Sequence, residues 1–520
     1  MLIKNGTIID GTSKARFRGD VRIEGERIKE VGNLNAQGKE QVIDAAENFV
    51  APGFIDIINR SDVHFSIFER SGLRSLLTQG ITTILGGSCG GSLAPLANNE
   101  AIRSIQKWHD VVSLNVNWET THEFLAEVEK HKLSVNFATL TGHETLRRGV
   151  GTDHFKKFSD DKLRKMEYLL ARSMDEGSFG LSTGLAYSHE RIAPVEEIER
   201  LLKIAKNKGG IYATHLRDEG ANLLSSVNET IEVSKKFDIS SHIFHFKALG
   251  GEAWGEFPRA LEYVQRAREN NINLTFDVYP YTKTASVLYL LLPDWASDGG
   301  KKELLKRLTD HNTRERIKKD LIIESKEIGE IVIARGDIDN TFIGKSLNDI
   351  AKTGGYSAID ALLNIILASE DRVNGFIPAL DEKNVESGVK SNVGFIASDG
   401  AGYSIKDRKR GALVHPRSFG AFPRFLGKYI REKNLLSWEE AINKITLMPA
   451  EKIGLKKRGR IEKGYFADIV IFNPRTIQDK ATFKNPFQYS RGMNYVLVNG
   501  GMALKQEKFQ KKRYGRVLRK

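Results

Sequence analysis

The chain has 520 residues, 40% of them apolar and 28% charged. That balance is ordinary for a globular protein, and the length exceeds one compact core, so one large domain with a smaller one is expected. A single cysteine, Cys89, excludes an intrachain disulfide and fits a reducing, cytoplasmic setting. The net charge of +13 would suit a polyanion, but the basic residues are interleaved with Asp and Glu and form no zinc finger or long basic helix. No nucleic-acid partner is expected.

The opening MLIKNGTIIDGT has no apolar core typical of a secretory signal. Residues 1–50 read as short strands and turns: MLIKNGTIID, VRIEGERIKEVG and QVIDAAENFVAPG. The stretch VAPGFIDIINRSD, Val50–Asp62, reads as the first strand of the main domain. Apolar strand-like runs then alternate with amphipathic helical stretches such as EEIERLLKIAKNKG and ALEYVQRARENN. The runs are TTILGGS, SVNFATLTG, GSFGLSTGL, GGIYATHLRD, ISSHIFHFKAL, INLTFDVYPY, IVIARG and VGFIASDG. Repeated strand–helix units predict a parallel α/β architecture, and about eight of them predict a (β/α)₈ TIM-like barrel. A Lys-rich helical segment, residues 285–341, breaks the rhythm and reads as an insertion beside the barrel mouth. Apolar runs such as ASVLYLLLP are too short to span a bilayer, so no membrane association is expected. Residues 455–520 return to strands, GRIEKGYFADIVIFNP and NYVLVNGGMALK, and end in KQEKFQKKRYGRVLRK, read as a solvated basic tail.

In such a barrel the active site lies at the C-terminal ends of the strands. Polar residues that close apolar runs are therefore the candidates: Cys89, His215, His245 and Asp399. A thiolate and two imidazoles suit Zn²⁺, and three protein ligands leave a fourth position for water, whose pKa zinc brings toward ~7. A nearby carboxylate, Asp399, would take the water's proton and pass it to a leaving amine. In HIFHFK, strand alternation puts His245 and Lys247 on one face. Each residue also has an ordinary reading: Cys89 as a small buried hydrophobe, His215 in a polar ion-paired loop with Arg217, Asp218 and Glu219, Asp399 as turn chemistry.

Taken together, VAPGFID, QGITTILGGSCGGSLAPL, GHETLRRGV, GLSTGLAY, YATHLRDEG, HFKALGGEAWG, DVYPYT, ASDG, HPRSFGAFPRFLGKYIREKNLLSWEEAINKITLMPAEKIGL and RGRIEKGYFADIVIFNP resemble the N-acyl-D-amino-acid deacylases (D-aminoacylases) of the amidohydrolase superfamily. The resemblance covers nearly the whole chain. It implies a barrel, residues 51–454, and a small β-sandwich domain built from residues 1–50 and 455–520. It implies hydrolysis of N-acyl-D-amino acids with one tightly held zinc on Cys89, His215 and His245, and Asp399 as the catalytic acid/base. Lys247, Arg417 and a tyrosine of YPY, taken as Tyr281, match the family's contacts to the substrate carboxylate. Tyr187 matches its pocket tyrosine. His143 is read as structural.

The departure lies in the first barrel strand. The family pattern FID-x-H-x-H has Ile58 and Arg60 in place of both histidines, so a second, weaker metal position loses two ligands. His64 reads as a loop residue and no substitute. Arg60 has three open readings: it stands where the second metal would be and pairs with Asp399, it binds a substrate carboxylate, or it lies in a polar loop touching neither. Two functional alternatives stay open, a cyclic-amide hydrolase of dihydroorotase or hydantoinase type and a binding protein with a decayed metal site.

Overall fold

A computed structural model describes residues 1–112, 114–151, 157–321, 323 and 325–520. Ile322 and Glu324, within the segment read as an insertion, lie outside the described residues. The fold is mixed α/β. Eight short parallel strands carry it: β1 Phe54–Asp56, β2 Ile81–Gly86, β3 Asn136–Thr139, β4 Gly180–Gly184, β5 Ile211–His215, β6 Ser241–Ile243, β7 Leu274–Val278 and β8 Gly394–Ile396. β1, β2 and β3 lie side by side, as do β4 through β8. Hydrogen-bonded links join the two groups. The chain of β3 continues into Thr141–Gly142, which pairs with β4, Phe179 N donates to Thr139 O at 2.9 Å, and Asn59 bridges Gly400 in parallel beyond β1 and β8. Every residue of β2, β4, β5 and β7 is buried, as parallel strands covered on both faces require.

The helices between these strands follow from their apolar spacing. Val195–Asn207 buries Ile198, Leu201, Leu202 and Ala205, one stripe at helical period, and starts with Glu196 and Glu197 at its positive end. The stripe packs with Met166, Leu169, Leu170 and Met174 of Asp160–Asp175. Each such leucine or isoleucine contributes roughly 1.5–3 kcal/mol of burial. Among the described residues, no helix is long and apolar enough to cross a membrane.

Strands from both ends of the chain form one nine-stranded sheet. Its seam is the antiparallel pair Phe49–Pro52 with Ile469–Phe472. The last residues do not form a solvated tail. Phe137 N donates to Arg516 O at 2.9 Å and Leu518 N to Phe137 O at 2.7 Å, so the tail docks along β3. A second correction concerns IVIARG. Val332–Gly336 pairs antiparallel with Val373–Ile377, which also pairs with Thr284–Val287. The Lys-rich segment thus supplies two strands of a three-stranded antiparallel sheet as well as helices such as Lys301–Thr309 and His311–Lys319.

A buried polar network ties the terminal sheet to β3. Asp468 accepts from Arg458 Nη1 and, at 2.7 Å, from Asn499 N. Asn499 Nδ2 donates to Asn136 Oδ1 at 2.8 Å. Removing the Asp468 charge leaves a buried guanidinium without its counter-ion. Asp468→Asn is therefore expected to destabilise the protein by about 3–5 kcal/mol, read by urea denaturation. A loss below ~1 kcal/mol would show that the network does not hold the two parts together.

Candidate metal centre and active site

The four candidate residues meet at the C-terminal ends of the parallel strands. His215 ends β5, while Cys89, His245 and Asp399 follow β2, β6 and β8 in the next loops. The last three adopt left-handed backbone, with φ of 51°, 38° and 45°, a conformation unfavourable for residues with a side chain. Strand alternation therefore does not place His245, because β6 stops at Ile243. Asp277 fixes the turn instead, accepting from His245 N at 3.0 Å and lying 2.9 Å from His242 Nε2. Beside Cys89, Gly90 has φ of 79°, and a Cβ there would lie 1.9 Å from Glu190 Oε2. Only glycine permits that approach. Glu190 in turn shares His143 with Glu197, at 2.8 and 2.7 Å, so His143 sits in a structural network.

Cys89, His215 and His245 are buried and each offers a ligand atom, all within 4.8 Å of one another. Sγ of Cys89 lies 3.4 Å from His245 Nε2, and His215 Nδ1 is buried without a hydrogen-bond partner among the described residues. The opposite nitrogens are occupied by one carboxylate. Glu219 lies 3.2 Å from His245 Nδ1 and 3.5 Å from His215 Nε2. It thereby leaves His245 Nε2 to face the sulfur and His215 Nδ1 without a protein partner among the described residues, the arrangement that orients metal-binding imidazoles. Burial opposes the Glu219 charge, yet His215 and the Lys247 ammonium hold its carboxyl well below the usual range. Burial, aided by Lys247 and His215, lowers His245 to about 3, so its ring is neutral. Burial pushes the Cys89 thiol up to about 12 against the pull of Arg60, and a thiophilic divalent cation reverses such a shift outright. One sulfur and two imidazole nitrogens fit zinc.

Asp399 lies between two arginines. Arg60 Nε donates to Oδ1 at 2.6 Å and Arg417 Nη2 meets Oδ2 at 2.7 Å. Arg60 Nη2 also reaches Cys89 Sγ at 3.2 Å, and its guanidinium stacks over Trp108 at 4.8 Å. Burial works against ionisation here, but Arg417 and then Arg60 keep the Asp399 carboxyl well below its ordinary value. Ile58 is fully buried in the apolar core. Its carbonyl accepts Asp399 N at 3.1 Å, and Arg60 N donates to Gly400 O at 2.7 Å, so the first strand and the Asp399 loop are zipped together. His64 stands against Trp108 and Tyr403, apart from the sulfur–imidazole cluster.

Lys247 Nζ binds Glu219 and lies 2.9 Å from His245 Nδ1. Tyr187 is buried, with its ring 5.2 Å from that of His215. Of the two tyrosines of YPY, Tyr279, directly after β7, lies under the Arg417 guanidinium at 4.8 Å, whereas Tyr281, beyond Pro280, packs against Arg424 and His415. Two cavities share Arg60, Trp108, Ala285 and Asp399: one of about 250 Å³ lined with arginines, and one of about 40 Å³ between the two histidines and Leu249, Leu290 and Ile377. Trp108, Tyr279 and the bridging role of Glu219 escaped the sequence reading. Only Glu219 carried a signal, four residues beyond His215 in THLRDE.

The amidohydrolase family model matches residues 411–502. The chain is 31% identical to an N-acyl-D-glutamate deacylase of Alcaligenes xylosoxydans xylosoxydans, over 100% of this chain and 96% of that one. It is 29% identical to a D-aminoacylase of the same organism, over 100% and 97%. The crystal structure of the N-acyl-D-glutamate deacylase of Bordetella bronchiseptica, complexed with zinc and a phosphonate mimic of the tetrahedral intermediate, superposes with a TM-score of 0.85 at 28% identity, covering 100% and 99%.

Glu219→Gln keeps the shape of the bridge but lets its amide donate toward a ring nitrogen, favouring the wrong tautomer. It is expected to weaken zinc affinity roughly 10- to 100-fold, measured by competition with a chromophoric chelator. Unchanged affinity would remove Glu219 from the ligand-orienting role.

Proposed function

The chain belongs to the N-acyl-D-amino-acid deacylases of the amidohydrolase family, and we propose that it is a zinc-dependent hydrolase releasing a carboxylic acid and a free D-amino acid from N-acyl-D-amino acids. One observation carries the reading: a Cys89–His215–His245 donor set shares a cavity system with an ionised Asp399 and two arginines. Arg60 and Arg417 each keep a buried Nη1 with no partner among the described residues. We read the eight parallel strands as a (β/α)₈ barrel over residues 51–454. The terminal sheet is then a β-sandwich domain from residues 1–50 and 455–520, folded around Ile3, Val21, Ile469 and Leu497. The thiol ligand suits a reducing, cytoplasmic compartment.

Zinc on these three donors supplies Lewis acidity toward the acyl carbonyl and acidifies a water. Asp399, held ionised between the two arginines, would take a proton from the attacking water and pass it to the departing amine nitrogen. Arg417 offers its free Nη1 to the substrate's α-carboxylate, a task for which the guanidinium fork is suited. As the substrate draws on Arg417, its hold on Oδ2 weakens and the proton affinity of Asp399 rises when a base is needed. Lys247 and Tyr279 border the same carboxylate position, and Tyr187 and Trp108 wall it from water. The small apolar-sided cavity beside the histidines takes a short acyl group.

We assign one zinc per chain. Arg60 reaches both Sγ and Asp399, and its charge would repel a second cation beside them. The open-chain carboxylate clamp favours acyl amino acids over cyclic amides, and the complete donor set argues against a decayed binding protein.

Metal analysis of the purified protein is expected to give about one zinc per chain, lost in Cys89→Ala. Two tightly held ions would overturn the role given to Arg60. Zinc-loaded protein is expected to deacylate N-acetyl-D-amino acids and not their L-enantiomers. Asp399→Asn should retain zinc while kcat falls roughly 10²- to 10⁴-fold. If zinc-loaded wild-type protein deacylates none of them, the deacylase reading fails.

A further inference from the structure

The larger cavity carries more positive charge than one α-carboxylate requires. Arg60 and Arg417 share a single anion, Asp399. Nearer the mouth, Arg70 and Arg410 are matched by Glu69 and Asp407. Arg335 also lines this cavity, and among the described residues no carboxylate lies within ion-pairing distance of it. Its Nη1 donates to a neutral group, the Trp108 carbonyl, at 2.9 Å. The cavity's three histidines do not supply competing charge: burial, with Arg335 next, holds His64 and His109 below their ordinary range, and burial, with Arg417 next, does the same for His415. The cavity wall therefore has two positive charges in excess, one at the Asp399 clamp and one at Arg335.

The backbone directs Arg335 to this place. The register of Val332–Gly336 against Val373–Ile377 shifts between Ile333 and Arg335, and such a bulge re-aims the side chain that follows it. Asn374, its partner in that register, lines the same cavity.

We propose that Arg335 receives a second carboxylate, so that the substrates are N-acyl derivatives of acidic D-amino acids. This rests on the deacylase reading and deepens it. The α-carboxylate goes to Arg417, the scissile amide lies over Asp399, and the side chain extends to Arg335. The segment read as an insertion is thus a specificity element.

The test compares kcat/KM of zinc-loaded protein for N-acetyl-D-glutamate and its neutral isostere N-acetyl-D-glutamine, alongside calorimetric binding of free D-glutamate and D-glutamine. Wild-type protein is expected to prefer the acidic member of each pair by roughly 10- to 100-fold, the worth of a hydrogen-bonded charge. Arg335→Gln should abolish that preference and Arg335→Lys should retain part of it. Equal use of both substrates by wild-type protein, or an Arg335→Gln loss that falls on both alike, overturns the proposal and leaves the deacylase reading standing. Arg335-dependent binding of D-glutamate without turnover of any acyl amino acid supports the Arg335 site and sinks the deacylase reading. Should Arg335→Gln fail to fold, the wild-type preference in binding and turnover still decides.

Discussion

Asp399 sits between Arg60 and Arg417, one carboxylate oxygen on each guanidinium, with all three side chains nearly withdrawn from water. Burying any one of these charges alone would cost several kcal/mol, so each requires the others. The pairing keeps the carboxylate ionised and leaves a net positive charge beside the thiol of Cys89. It also makes the neighbouring cavity receptive to anions. The proposals for one zinc per chain, for Asp399 as the base and for an acidic substrate all rest on this one arrangement.

The loops that present these groups are held in unfavourable backbone conformations at Cys89, His245 and Asp399, at a cost of about 1–3 kcal/mol each. Each turn has a compensating bond. Ser182 Oγ accepts Gly90 N at 3.2 Å, Asp277 accepts His245 N, and the Ile58 carbonyl accepts Asp399 N. The supporting atoms come from neighbouring strands. The geometry of the site is therefore a property of the whole strand array rather than of any loop.

Much of this was legible in the sequence because parallel strands bury both faces, and a polar residue at the end of an apolar run stands out. Cys89, His215, His245 and Asp399 were found on that signal, and Arg60 as the residue that replaces a histidine of the family pattern FID-x-H-x-H. The failures share a cause. IVIARG is as apolar as a central strand, and apolarity does not tell parallel from antiparallel pairing. Alternation was extended past Ile243, where the chain had already left the strand. Trp108 approaches Arg60 from a loop with no periodicity at all. The tail looked solvated because its lysines are, while its backbone pairs with β3.

That tail, with the seam between Phe49–Pro52 and Ile469–Phe472, sets an order of events during synthesis. The strands made first wait for partners made last, and the outer edge of β3 stays open until residues 515–518 arrive. Contacts spanning nearly the entire sequence close slowly, because the loop entropy must be overcome before they form. The nascent chain therefore carries unpaired, apolar strand edges for most of its elongation, the form in which a protein is most exposed to self-association and most dependent on chaperones. Arrival of residues 469–472 and 516–518, rather than of the parallel strands themselves, is the event that closes these edges.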